Sequence, residues 1–188
     1  MTQPPSSHDT PGTLDRWIAE ESAVQERRAR GGASAAVASR EQIVALTGLQ
    51  QMEAMLRGEL PHAAMGQTLD FLLVQVGDGT AVFQGRPGPR LLNPMGMVHG
   101  GWFATMLDSA LGCAVHTTLP PGKAFTTTDL HVHMVRGIAP TVARVRSEGR
   151  VLHRGRQLVT AEARLLGPDG TLYAHGTTSC MVLDIRNR

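Results

Sequence analysis

A single long helical pattern of apolar residues, at positions 99–117, stands among shorter segments that alternate like β-strands. Before it, residues 71–76 and 80–84 are strand-like and are separated by a Gly-Asp-Gly hairpin signal. After a Pro-Pro-Gly sequence at 120–122, alternation dominates up to about residue 183. The order strand, strand, helix and four strands predicts an α+β fold in which an antiparallel sheet wraps around one long central helix.

The N-terminal third has a different character. Residues 1–12 are rich in Pro, Ser and Thr and are expected to be disordered. Residues 13–30 are charged and only weakly amphipathic, so we expect a disordered or weakly helical tail over 1–38. A Ser39-x-x-Gln42 capping box and apolar residues at helical spacing predict an N-terminal helix within 39–59, and residues 60–188 form the main domain.

Composition excludes several classes of protein. A net charge of +2 over 188 residues is too small to indicate nucleic-acid binding. Cys113 and Cys180 are the only cysteines and are far apart, which argues against a disulfide framework or a zinc site. No apolar run approaches the roughly 18 residues that span a bilayer, and the N-terminus lacks a signal-peptide pattern. We therefore expect a cytoplasmic protein that binds neither membrane nor nucleic acid and needs no metal or cofactor.

The most informative chemistry lies where a glycine-rich turn enters the long helix. Gly100 and Gly101 would open the helix, and the unpaired N–H groups of a helix start favour a developing negative charge. Asp108 follows about two turns later and is expected to serve a group bound at the helix start. These are the groups needed for attack on a polarised carbonyl.

Asp108 could be either a solvated surface residue or a functional carboxylate, and the sequence favours neither. Helical spacing places it opposite the apolar face, where a solvated carboxylate is the commonest outcome. Its own face, however, carries Gly101, Thr105 and Gly112 rather than long charged side chains, and a glycine inside a helix indicates close approach by a ligand or a second chain.

Other polar residues near this segment have structural alternatives. His99 could cap the helix, and Asn93 could bind its own loop. His131 and His133 share a strand face, but no third ligand has a convincing spacing, so a metal site is not expected.

Residues 93–101 (NPMGMVHGG), followed by Asp108, resemble the hotdog-fold acyl-CoA thioesterases of the PaaI-like, phenylacetate-pathway type. The resemblance continues through residues 124–136 (AFTTTDLHVHMVR), 151–156 (VLHRGR) and 170–175 (GTLYAH). It departs at Met134, where the family has Phe, and at the Arg-Gly of 136–137, where the family has Arg-Pro.

The resemblance implies a catalytic role for the helix start. The Gly100 N–H would polarise the thioester carbonyl, with Gly101 beside it, and Asp108 would act as general base or as nucleophile. Asn93 would position the water or the carbonyl, and His99 would support the turn.

The resemblance also implies a homo-oligomer, either a dimer or a dimer of dimers (a homotetramer), with sites at the subunit interface. Thr127 fits best as the residue that would reach the site from the opposite chain, with its neighbours Thr126 and Thr128 as alternatives. Arg150, Arg154 and Arg156 would suit the phosphates of coenzyme A, although a solvated basic turn explains each arginine equally well.

The expected function is therefore hydrolysis of an aromatic or medium-chain acyl-CoA thioester. One alternative is a non-catalytic acyl-CoA sensor, because a fold does not fix a function. A hotdog hydratase or dehydratase fits less well, because the expected Asp and His at the helix start are not spaced in that way here.

Overall fold

A computed structural model of the chain describes residues 12–185, and it contains six antiparallel strands wrapped around one long helix. The helices are α1 (Thr13–Gly31), α2 (Arg40–Ile43), α3 (Gly48–Arg57), α4 (Ala64–Thr68) and α5 (Gly100–Thr117), with a 3₁₀ turn at Pro89–Leu91. The strands are β1 (Phe71–Gly77), β2 (Thr80–Gly85), β3 (Lys123–Met134), β4 (Val145–Arg154), β5 (Leu158–Leu166) and β6 (Leu172–Asp184). The predicted α+β architecture is confirmed.

The strand order is β1-β2-β4-β5-β6-β3, so β1 and β3 form the two edges of the sheet. Helix α5 lies in the concave face. The apolar side of α5 is buried as the helical spacing predicts: Trp102, Phe103, Met106, Leu107, Ala110, Leu111 and Ala114. Each of these side chains is at most 3% exposed, so this helix forms the centre of the hydrophobic core.

Helix α1 is better formed and more firmly attached than the sequence predicted. Its inward face carries Glu21, which is 5% exposed and accepts hydrogen bonds from Gln84 Nε2 at 2.5 Å and Arg144 Nε at 2.6 Å. Arg146 bonds Glu20 at 2.6 Å and stacks on the Trp17 ring at 4.6 Å. The apolar spacing of residues 13–30 did not predict a stable helix, because polar side chains, rather than apolar ones, make many of the contacts between α1 and the sheet.

The prediction of a single helix after Ser39 is wrong, because two helices, α2 and α3, occupy this segment. The Ser39–Gln42 capping box exists but starts only the four-residue α2. A second capping box, formed by Thr47 and Gln50, starts α3. α2 ends at Ile43, and the Thr47 side chain, which accepts from the Gln50 N–H, starts α3 after a short turn.

The described residues contain no helix long and apolar enough to cross a membrane. The disorder expected for residues 1–11 lies outside the described part of the chain.

Candidate active site

The start of α5 has one backbone donor left open. His99 is the N-cap, and its Nδ1 accepts a hydrogen bond from the Gly101 N–H at 2.8 Å. The Trp102 N–H bonds the His99 carbonyl at 3.0 Å. The Gly100 N–H has no hydrogen-bond partner among residues 12–185, so it is the donor available to an oxyanion.

Asn93 organises the loop before the helix. Its Oδ1 accepts hydrogen bonds from the N–H groups of Met95 at 3.0 Å and Met97 at 3.1 Å. Gly96, at φ 80°, completes the tight turn with its N–H bonded to the Asn93 carbonyl. The Asn93 side-chain oxygen therefore binds its own loop, which is the structural alternative given above for this residue. Its amide nitrogen remains for a ligand.

Asp108 and Thr127 lie together in one chain. The Thr127 hydroxyl donates a hydrogen bond to the Asp108 carboxylate. Thr127 lies on the same face of β3 as Phe125, which packs against Gly112 of α5, and the β3–β6 pairing shifts just after it, between Thr127 and Asp129. Thr127, which was expected to enter the site from the opposite chain, thus lies beside Asp108 of its own chain.

The environment of Asp108 raises the pKa of its carboxyl group. The main cause is loss of hydration to surrounding protein atoms, and the Thr127 hydrogen bond offsets part of it. Asp108 is nevertheless exposed at the surface of the single chain. A carboxylate with a raised pKa and access to water is suited to general-base chemistry.

Gly112 is explained by the chain itself. A Cβ at this position would lie 3.0 Å from Cζ of Phe125, so glycine is needed for β3 to pack against α5. The ligand or second chain expected beside Gly112 is therefore not what approaches it. Thr105 and Ser109 bond carbonyls of their own helix at 2.9 and 2.8 Å, which also accounts for part of this face.

An apolar cavity of about 310 Å³ lies against the part of α5 that follows Asp108. Ser109 and Cys113 line it from α5, and Phe125 lines it from β3. The remaining walls come from α1, α3, α4, the segment before α4, β1, β2 and the end of α5: Arg28, Met52, Met55, His62, Ala63, Met65, Gly66, Phe71, Leu72, Leu73, Phe83 and His116. Its size is at the lower end of the range for small-ligand pockets.

Two titratable side chains of α5, Cys113 and His116, line this cavity, and burial shifts the pKa of each towards its neutral form. Burial, with a contribution from Asp108, raises the pKa of the Cys113 thiol to about 12, so it remains protonated and is a poor nucleophile. Burial lowers the pKa of His116, and its Nε2 lies 3.0 Å from Gln51 Oε1. Of Asp108, Cys113 and His116, only Asp108 is exposed to solvent.

Comparison with known proteins agrees with this arrangement. The model of the Thioesterase superfamily matches residues 95–174, which include the α5 start, Asp108 and Thr127. A phenylacetic acid degradation-related protein from Ralstonia eutropha JMP134 is 31% identical, with a TM-score of 0.64, over 70% of this chain and 98% of that one. The chain belongs to the hotdog-fold, PaaI-like thioesterases.

More distant structures share the hotdog fold. The Escherichia coli PaaI protein is 18% identical, with a TM-score of 0.63, over 74% of this chain and 96% of that one. A thioesterase from Haemophilus influenzae is 16% identical, with a TM-score of 0.60, over 64% of this chain and 83% of that one. A search of curated proteins gave no significant match.

Within this hotdog chain, the predicted coenzyme A arginines do not gather at the helix start. Arg150 pairs with Glu162. Arg154 bonds Asp78 at 3.2 Å and the Thr118 carbonyl, just beyond the C-terminal end of α5. Arg156 has no hydrogen bond or ion pair with the described residues. Their role in binding coenzyme A stays a prediction.

The two strand histidines have separate surroundings. His133 stacks on His175, with ring centroids 4.9 Å apart, and His131 lies 3.8 Å from Asp129. Residues 12–185 contain no group of three His, Cys, Asp or Glu side chains that could hold a metal ion.

The contribution of α1 to the cavity wall was not predicted from the sequence. Trp17, Glu21, Val24 and Arg28 recur at helical spacing along α1, and this pattern was the available signal for a buried face. The pattern did not indicate a buried face, because only two of the four side chains are apolar.

Proposed function

We propose that this hotdog thioesterase hydrolyses acyl-CoA thioesters with an aromatic or medium-chain acyl group. The observation that carries the proposal is the Asp108 carboxylate, with its raised pKa, next in sequence to Ser109, which lines an apolar cavity of about 310 Å³. The cavity would hold the acyl group, and Asp108 would remove a proton from the attacking water. The Gly100 N–H would stabilise the oxyanion, a contribution of about 3 kcal/mol for one donor.

One helix cannot supply both groups to one carbonyl. Gly100 and Asp108 are eight residues apart, which corresponds to about 12 Å along an α-helix. An oxyanion donor and a general base must both lie within about 3 Å of the reacting atoms. The sequence-based expectation that Asp108 serves its own helix start is therefore replaced by a site that combines Asp108 with the partner subunit's Gly100.

The position of β3 supports this arrangement. β3 is a 12-residue edge strand, and a long edge strand readily pairs with another chain. It runs antiparallel to α5, because Thr127 lies at Asp108 while Met134 lies against Gly100. Two copies joined antiparallel through β3 bring the Met134 end of one strand beside the Thr127 end of the other. The partner subunit's Gly100 then approaches Asp108.

Thiol release from a panel of acyl-CoAs tests the proposal. Wild-type protein is expected to hydrolyse at least one substrate, and Asp108→Ala should lower kcat by roughly 10² to 10⁴. Glu53→Gln, at an exposed position on α3, is the control and should retain full activity. Unchanged kcat in Asp108→Ala would overturn the assignment. Tight acyl-CoA binding without turnover would favour the sensor alternative.

A further inference from the structure

Among the described residues, Arg28 is the one permanently charged side chain that lines the acyl cavity. It extends from α1 into a wall formed otherwise by His62 and by apolar residues of α3, α4, β1 and β2. No Asp or Glu among residues 12–185 lines this cavity. Arg28 is partly buried, and a cation in largely apolar surroundings is disfavoured where it is neither paired nor hydrated.

The guanidinium of Arg28 lacks a partner in the described chain. Its Nε is buried and has no hydrogen bond, and Arg28 forms no ion pair with any of residues 12–185. Burial alone lowers the pKa of Arg28, with no opposing contribution from a carboxylate. By contrast, Arg86, Arg144 and Arg146, which also face α1, are all paired with Glu20 or Glu21.

Arg28 lies on the wall away from the proposed catalytic carboxylate. A second cavity, of about 260 Å³, shares Arg28 and His62 with the first but includes no residue of α5. Ser109 and Cys113, which follow Asp108 on α5, line only the first cavity. An acyl group that enters the first cavity from the side of Ser109 and Cys113 therefore points its distal end towards Arg28.

We propose that Arg28 selects acyl groups that carry a carboxylate at the end distal to the thioester, that is, the CoA thioesters of dicarboxylic acids. The guanidinium fork matches the two oxygens of a carboxylate, and bound substrate supplies a counter-charge that no described residue provides through an ion pair. Asp70, which lines the second cavity with Arg28, is paired with Arg86 instead. Methylene groups between the thioester and the carboxylate occupy the apolar part of the cavity. This inference rests on the proposed function, because it concerns the substrate of the same site.

The test uses two matched pairs of substrates: adipoyl-CoA with hexanoyl-CoA, and suberoyl-CoA with octanoyl-CoA. Because coenzyme A and chain length are constant within a pair, the ratio of kcat/KM reports only the distal carboxylate. Wild-type protein should prefer the carboxylated substrate at least about tenfold in one pair, as expected for a desolvated charged hydrogen bond. Arg28→Met should abolish the preference, and Arg28→Lys should retain part of it. Arg27→Met, on the exposed side of α1, should leave the wild-type ratio unchanged.

Calorimetric binding of the same pairs to the Asp108→Asn variant separates this inference from the proposed function. Hydrolysis of the panel without a preference for the carboxylated substrate, or a preference that survives in Arg28→Met, would overturn the role of Arg28 alone. Preferential, Arg28-dependent binding without hydrolysis by the wild type would overturn the proposed function and support the role of Arg28. Melting curves of Arg28→Met and Arg28→Lys establish that both variants are folded.

Discussion

Thr127 donates a hydrogen bond to Asp108 across the contact between β3 and α5. The bond lowers a pKa that loss of hydration raises, so Thr127 moderates the basicity of the proposed catalytic carboxylate. The register shift after Thr127 interrupts the alternation of β3 at Thr128, whose hydroxyl donates to the Ser179 carbonyl at 2.8 Å.

Thr127→Val should shift the pH profile of kcat/KM. Removing the donor leaves only the contribution of burial, so the pKa of Asp108 rises further. A general base is active when ionised, and the acidic limb of the profile therefore moves to higher pH. Thr126→Val, at the neighbouring exposed position, is the control. An acidic limb at the same pH in both variants would contradict the role given to Thr127.

Gly100→Pro should remove the oxyanion donor with little damage to the helix. Proline is well tolerated at the first helical position, and His99 already has the extended backbone (φ −65°, ψ 136°) that a following proline requires. We expect kcat to fall by roughly 10² to 10³.

The matched control is Gly100→Ala, which keeps the N–H. Its Cβ would lie 2.7 Å from Met134 Sδ, a flexible side-chain end that Pro would displace in the same way. Equal activity in the Pro and Ala variants would show that the N–H of residue 100 does not take part.

His99→Ala should destabilise the protein through loss of the helix cap. The Gly101 N–H, now bonded to His99 Nδ1 at 2.8 Å, would lose its acceptor. The expected cost is about 1 kcal/mol of unfolding free energy, or roughly 2–4 °C in Tm. His99→Asn keeps a capping oxygen and should recover most of the loss; a melting temperature as low as that of His99→Ala would rule out capping as the reason.

Glu21→Gln should loosen α1 in a pH-dependent way. Burial alone would raise the pKa of Glu21, but hydrogen bonds from Arg144, Gln84 and Arg86 lower it below its usual value of 4.5. The carboxylate therefore stabilises the fold above the unfolded pKa, and this stability is lost as pH falls through the folded pKa.

Chemical denaturation measures this effect. At neutral pH the variant should unfold with about 2 kcal/mol less free energy than the wild type, and the difference should shrink below pH 4.5. Glu26→Gln, on the exposed face of α1, should match the wild type throughout. A difference that does not change with pH would argue against the ionised Glu21 as the anchor.

Local chemistry made part of this molecule predictable. The apolar face of α5, its start after His99 and the β1–β2 hairpin at Gly79 all follow from short-range spacing and turn residues. The break before α3 was also readable, because Thr47 and Gln50 form a capping box in the sequence.

Features that depend on long-range contacts were not predictable in the same way. The register shift after Thr127 exists only in the pairing of β3 with β6, where it interrupts the alternation of β3 at Thr128. The attachment of α1 depends on Gln84 and Arg146, two polar residues on strands far away in the sequence. The place of Arg28 in the cavity follows from that attachment.

The most direct test of a shared active site is complementation between two inactive variants. Asp108→Asn keeps Gly100, and Gly100→Pro keeps Asp108. If each site takes these groups from different chains, a mixed dimer contains one intact site and one doubly defective site.

The two variants are mixed in equal amounts and allowed to exchange subunits, so that half of the dimers in a two-fold assembly are mixed. Because each mixed dimer has one intact site out of two, we expect a thioesterase activity of about a quarter of the wild-type value. Neither variant alone should exceed a small residual activity. No recovery after subunit exchange, with mixed dimers demonstrated by mass spectrometry, would contradict the shared site.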